Sequence, residues 1–135
     1  MKTYKEIKTK NEKAISDLLE KYQVFFAFSN KQLEEGKTKI GITDNKKLTG
    51  IGAGGYMPKK DADAFMEAME KTEKAYNKEL KEAKEAKGEA ILYELYNHEA
   101  FYTGEIDDVV EKFEGIYTVA EIRAVYKKQY NKNNK

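Results

Sequence analysis

The sequence predicts an α+β fold: a small antiparallel sheet over residues 23–55 packed by helices, one long charged helix over 61–98, and two short C-terminal helices. Three observations carry that reading. Apolar residues recur at helical spacing at both ends of the chain, a run rich in β-formers interrupts them at Gln23–Ser29, and glycines cluster at residues 50–55. The chain has 135 residues, 40% hydrophobic and 36% charged, and no Pro/Gly/Ser linker. One domain over 1–130 with a frayed tail at 131–135 is the simplest organisation.

The elements follow in order. Across residues 3–22, Ile7, Ala14, Ile15, Leu18, Leu19 and Tyr22 make a single apolar stripe on a charged rod, the pattern of an amphipathic helix. "QVFFAFS" reads as a buried central strand. "SNKQLEEG" has a capping residue at Ser29 or Asn30 and a stop at Gly36, which predicts a helical turn or two. "TKIGIT" and "KLTGI" flank Asp44–Lys47, which predicts a hairpin closing there.

From Asp61 the helical period resumes, with Phe65, Met69, Tyr76, Leu80, Ala83, Ala90, Ile91 and Leu95 on one side. An unbroken helix of that length would span roughly 55 Å, and Gly88 is the natural place for a break. "GEIDDVVEKFEG" puts Ile106, Val109, Val110 and Phe113 on one face. Thr118 then caps the last helix, with Glu121 three residues on completing a capping box.

Composition bounds function. The absence of cysteine excludes a disulfide, a thiolate metal site and a cysteine nucleophile. No segment approaches the ~20 apolar residues of a membrane span, so the expectation is a cytoplasmic protein with no membrane contact. Charge is segregated: residues 1–60 carry 13 Lys against 7 acidic residues, whereas 61–114 carry 16 acidic residues against 7 Lys. A basic face and an acidic face can each steer a partner of opposite sign, but neither block requires nucleic acid.

The motif that invites a phosphate is "GIGAGGYMPKKD", whose Gly50, Gly52 and Gly55 satisfy GxGxxG. A dinucleotide site needs a helix that begins inside the glycines. Here Pro58 biases Met57 away from helix, so the next helix starts no earlier than Lys59–Asp61. No GK[ST] follows, which removes a P-loop. The glycines therefore read first as conformational, supplying positive φ or close packing. A ligand- or partner-binding loop using Gly54, Gly55, Tyr56, Lys59 and Lys60 is the other reading.

His98, the one histidine, lies in "NHEAFYTG" beside Glu99, with Tyr102 where a zinc HExxH would need a second histidine. An acid–base role beside Glu94 or Glu99 is chemically open, yet no nucleophile or oxyanion site accompanies it; a hydrogen bond closing the long helix or a partner contact suits it better. Asp107-Asp108 read as dipole partners in a helix first turn rather than cation ligands. The last two helices have helix-turn-helix proportions, but the basic residues of the second gather at its end, so plain packing is the preferred reading. No catalytic residue, metal or cofactor is assigned.

Three stretches, "FFAFSNKQLEEG", "IGAGGYMPK" and "NHEAFYTGEIDDVV", resemble a family of small bacteriophage and mobile-element proteins, a domain of unknown function, over residues 22–126. The resemblance implies a non-enzymatic accessory protein that acts by binding, with a host protein such as a defence nuclease or effector as its partner. The long helix offers a surface for a second copy of the chain. The alternative is sequestration of an anionic small molecule or nucleotide by the glycine-rich loop with Tyr56, Lys59, Lys60, His98 and Tyr102; a nucleic-acid-binding module is a further one.

Overall fold

The computed structural model describes residues 2–134, and the fold is α+β. Helix α1 (Tyr4–Lys21), strand β1 (Phe25–Phe26) and helix α2 (Asn30–Ile40) precede a hairpin of β2 (Leu48–Gly52) and β3 (Gly55–Pro58). Helices α3 (Ala62–Glu82), α4 (Lys87–Asn97), α5 (Ala100–Thr103), α6 (Asp107–Lys112) and α7 (Val119–Asn133) follow. The described residues pack as two compact units, one of residues 10–74, the other of residues 2–9 with 75–134.

In the unit of residues 10–74, the sheet is antiparallel with β3 between β1 and β2. Phe25 pairs with Tyr56 and Phe26 with Gly55, while Leu48 pairs with Pro58 and Thr49 with Met57. Met57 is fully buried, and Ala27, Pro58 and Phe65 are buried with it in this unit. The hairpin therefore forms within the glycine-rich segment, not around Asp44–Lys47 as the turn chemistry there predicts. Its two loop residues, Ala53 (φ 52°) and Gly54 (φ 80°), both take the left-handed backbone that the tightest hairpins require. Asp44 instead caps a 3-10 turn, Asn45–Lys47, by accepting from the Lys46 N–H at 2.9 Å.

Helix α2 also departs from expectation. It runs through Gly36 and takes in "TKI", predicted as strand, before closing at Gly41, whose N–H reaches the carbonyls of Lys37 and Thr38. Gly36 does not stop the helix; it lets the chain come close. A Cβ there would lie 2.8 Å from Phe25 Cγ and nearer still to the ring edge. The Phe25 ring, stacked on Tyr56 at 5.8 Å, occupies the space a side chain would need.

The other unit holds one apolar core. Tyr4 and Ile7 of α1 pack with Leu80, Ile91, Leu95, Val109, Phe113 and Ile122 from α3, α4, α6 and α7. The helical stretch predicted over 61–98 is broken, not at Gly88 but at Ala83 (φ −85°, ψ 73°) and a 3-10 turn, Lys84–Ala86. The spacing of the small residues explains the position. In a continuous helix Ala86 would sit about 120° away from the Leu80 face. With the break, Leu80, Ala83, Ala86 and Ala90 are all buried.

The break also frees Lys87 to reach α7, where its Nζ lies 2.8 Å from Glu121 Oε2. The capping box forms as the sequence predicts: Glu121 N–H donates to Thr118 Oγ1 at 3.1 Å and Thr118 N–H to Glu121 Oε1 at 2.9 Å. Of the tail expected to fray, residues 131–133 are helical and Lys135 lies outside the described residues.

Two outcomes follow from this packing. Alanine is the better helix former by about 1 kcal/mol, yet Gly36→Ala overpacks Phe25 at about 1–3 kcal/mol, so the variant melts below the parent. A raised Tm would show that the ring swings aside freely. The second concerns Glu121, whose carboxyl is held down to about 2 by the Lys87 ammonium first and the Thr118 N–H second. A lowered folded-state value contributes stability above the ordinary value near 4.5, which is lost as pH falls towards 2. Thermal melts of Glu121→Gln and the parent should differ at pH 7, converge below pH 4.5 and coincide near pH 2; a constant gap would remove charge from the account.

Candidate functional site

The "NHEAFYTG" segment forms a sharp corner in the unit of residues 2–9 and 75–134. Helix α4 ends at Asn97, and the His98 N–H closes on the Glu94 carbonyl at 2.9 Å. Glu99 then turns left-handed at φ 55°, a conformation that strains a residue with a Cβ and persists where the surroundings dictate it. They do so here. The Glu99 carbonyl accepts from the Tyr102 and Thr103 N–H groups, both at 3.0 Å, Gly104 N–H reaches Ala100 O at 2.8 Å, and Ala100 is fully buried beneath.

This corner points aromatic rings outward. Tyr102 is 91% exposed, and Tyr96, the residue before the end of α4, is half exposed. Tyr96 begins a row of four rings. Its centroid lies 4.9 Å from Phe101, which stacks nearly parallel on Tyr126 at 5.1 Å, and Tyr126 lies 5.9 Å from Tyr130. Such offsets each add about 0.5–1.5 kcal/mol beyond burial, so the row is stiff as well as apolar. Gln129 and Asn133 of α7 donate to the Tyr96 hydroxyl at 3.3 and 3.4 Å and fix that ring at its outer end. Tyr96, Glu99, Phe101 and Tyr102 line a cavity of about 400 Å³.

Behind the corner lies a buried carboxylate. Glu94 is 1% exposed. Its Oε1 accepts from the Tyr4 hydroxyl at 2.8 Å; its Oε2 meets Asn97 Nδ2 at 3.4 Å, His98 Nε2 at 3.5 Å and Lys112 Nζ at 3.8 Å. Burial, with hydrogen bonds to Tyr76 and Glu94, pushes the Tyr4 phenol far above its usual value, so Tyr4 stays a neutral donor. His98 is thus a neighbour of Glu94, as the sequence allows, but on the side of a carboxylate that is closed off from solvent.

The remaining sequence candidates lie in the unit of residues 10–74. Gly54 is the second residue of the hairpin loop, and a Cβ there would strike the Phe28 ring. Gly55 and Tyr56 open β3, where Gly55 is buried and Tyr56 stacks on Phe25. Lys59 and Lys60 stand exposed in a 3-10 turn directly after β3. The structure therefore gathers His98, Glu99 and Tyr102 at one corner and the glycine-loop residues within the other unit. Asp107 and Asp108 occupy the first turn of α6, and no group of three or more His, Asp or Glu side chains suited to a metal ion forms among the described residues.

Sequence reasoning missed Tyr96, Phe101, Tyr126 and Tyr130. The usable signal was the i,i+4 pair Tyr126/Tyr130 with Tyr93/Tyr96 one helix turn apart, more aromatic surface than one helix can bury.

The chain belongs to DUF7659, a family of unknown function, matched over residues 3–132. The match takes in α1 and all but the last residue of α7, more than the three stretches singled out from the sequence. No curated protein and no solved structure matches the chain. No described helix is long and apolar enough to cross a membrane.

The corner's support can be measured. Glu94→Ala takes the carboxylate away from the buried Tyr4 hydroxyl and from the Lys112 ammonium and is expected to lower stability to urea by about 3 kcal/mol. Tyr4→Phe should cost about 1 kcal/mol, and the double variant less than the two together, since both remove one bond. Strict additivity would show that the two groups act separately.

Proposed function

We propose that the chain is a non-catalytic binding protein that seats a protein partner on the aromatic corner around Tyr102. The observation that carries this is Tyr102 itself: a large ring, almost wholly exposed, whose own N–H is bonded to Glu99 O in a turn that is left-handed at Glu99. A tyrosine presented in this way loses little freedom on binding, and Tyr is among the residues that dominate interface energies. The neighbouring cavity and ring row supply the apolar surround, and Glu99 gives a charged rim.

What supports binding over acid–base chemistry is the state of the histidine's partner. Glu94 already accepts from Tyr4 and Asn97 in a buried place, so the His98–Glu94 pair has no free carboxylate to offer a substrate. The sharper form of the reading is an accessory protein of a bacteriophage or other mobile element that inhibits a host defence protein. It rests on the resemblance of the three sequence stretches, and the corner is the surface it would use.

Tagged full-length protein is incubated with bacterial lysate, with and without nuclease, and the captured species is purified and its affinity measured. A nuclease-resistant protein that binds the parent and binds Tyr102→Ala at least ~30-fold more weakly fits the reading, since a loss of that size is about 2 kcal/mol. The Tm of Tyr102→Ala should match the parent because the ring touches little of the fold. Binding indifferent to Tyr102→Ala and Tyr96→Ala would move the interface elsewhere.

A further inference from the structure

A second candidate site comes from the register of the hairpin. Leu48 pairs with Pro58, so the residues just before β2 and just after β3 emerge side by side at its open end. Those residues are Lys46 and Lys47 on one strand's approach and Lys59 and Lys60 on the other's departure, each pair in its own 3-10 turn. With Ile42 and the buried Pro58 they line a cavity of about 510 Å³, a volume typical of small-molecule sites.

The four lysines are left without counter-charge. None has a carboxylate oxygen within ion-pairing distance among the described residues, although acids are as common as bases in this chain. Asp44 holds the Lys46 backbone N–H instead, and Asp61, which follows Lys60 in the same 3-10 turn, forms no ion pair with either lysine there. Some other lysines of the same unit are paired, Lys37 with Glu34, Lys71 with Glu67 and Lys74 with Glu70, but none of those lines this cavity. Gathering four like charges about one concavity costs the fold free energy that a bound polyanion would return.

We infer that this cavity binds a small molecule carrying a chain of phosphates, with the four ammonium groups along the phosphates and Ile42 and Pro58 as an apolar floor. Lysines suit this ligand as mobile point charges that follow a flexible phosphate chain. The glycines of the hairpin take no part except to set the register. The site belongs to the unit of residues 10–74 and shares no residue with the aromatic corner, so either reading can fail without the other.

The test is calorimetric titration of the full-length protein with inorganic tripolyphosphate, with a nucleoside triphosphate, and with a single-stranded oligonucleotide. The parent should bind both triphosphates saturably. Equal affinities would assign recognition to the phosphate chain alone, whereas tighter binding of the nucleotide would add the apolar floor as a base platform. Lys47→Gln/Lys59→Gln should weaken binding at least tenfold. Lys71→Gln/Lys74→Gln removes the same charge from α3 and should leave it within twofold, which separates a site from bulk attraction. All the replaced side chains are exposed, so both variants should fold, and Lys47→Gln/Lys59→Gln should melt no lower than the parent because it relieves like-charge repulsion. No saturable heat at millimolar ligand, equal weakening in the two variants, or binding of the oligonucleotide alone would each overturn the inference.

Discussion

The hydrogen bond between the Tyr4 hydroxyl and the buried Glu94 carboxylate is the constraint on which the helical unit depends. A carboxylate taken out of water is costly unless each oxygen is answered. Here Tyr4 answers one oxygen and Asn97, His98 and Lys112 surround the other. The consequences spread along the chain. Tyr4 is the first residue of α1, and its N–H meets Glu89 Oε2 at 3.4 Å, so two carboxylates of α4 fix where α1 begins. Asn97 and His98 are the last turn of α4, so the same carboxylate fixes where the aromatic corner begins. Lys112 carries the constraint to α6. Apolar side chains of similar shape would also fill this space, but they would not specify which turn of α4 faces α1.

That constraint was invisible in the sequence for a plain reason. Tyr4 and Glu94 are separated by 90 residues, and nothing in either local pattern marks them as partners. What was legible was local. The stripe of α1, the capping box of Thr118 and Glu121, and the helix start delayed by Pro58 all follow from neighbours within four residues, and all appear as predicted. "QVFFAFS", expected as a buried central strand, gives only the edge strand Phe25–Phe26, with Phe26 and Phe28 exposed, because β3 takes the centre of the sheet. Gly36 and Gly88 were read as punctuation, although one is an approach point for Phe25 and the other lies open on a helix that continues through it. Glycine reports what the backbone or a neighbour needs, and the neighbour is often distant.

The candidate site was half legible for the same reason. Tyr102, Glu99 and His98 could be selected because they share one segment. The row from Tyr96 to Tyr130 could not, since its rings come from α4, α5 and α7 and meet only when the core under Ala100 and Ile122 is formed. Lys59 and Lys60 were likewise visible as a pair, while Lys46 and Lys47 became their companions only through a register that the turn chemistry at Asp44 had argued against. In both units the sequence supplied one edge of a surface and the fold supplied the other.

The two surfaces differ in how their chemistry is held, and the difference bears on what each can recognise. At the corner the turn is held by backbone hydrogen bonds onto Glu99 and Ala100 and the rings pack in a row, so a partner there would be recognised by shape and apolar contact. At the hairpin's open end the charged groups sit on flexible stems around an apolar floor, and shape is set by whatever anion draws them in. A rigid aromatic patch discriminates among proteins; a ring of mobile ammonium groups discriminates by charge and charge spacing. The buried Glu94 joins neither kind of recognition. Its oxygens are already engaged within the core, and what it contributes is structural, fixing the turn from which the proposed binding corner starts.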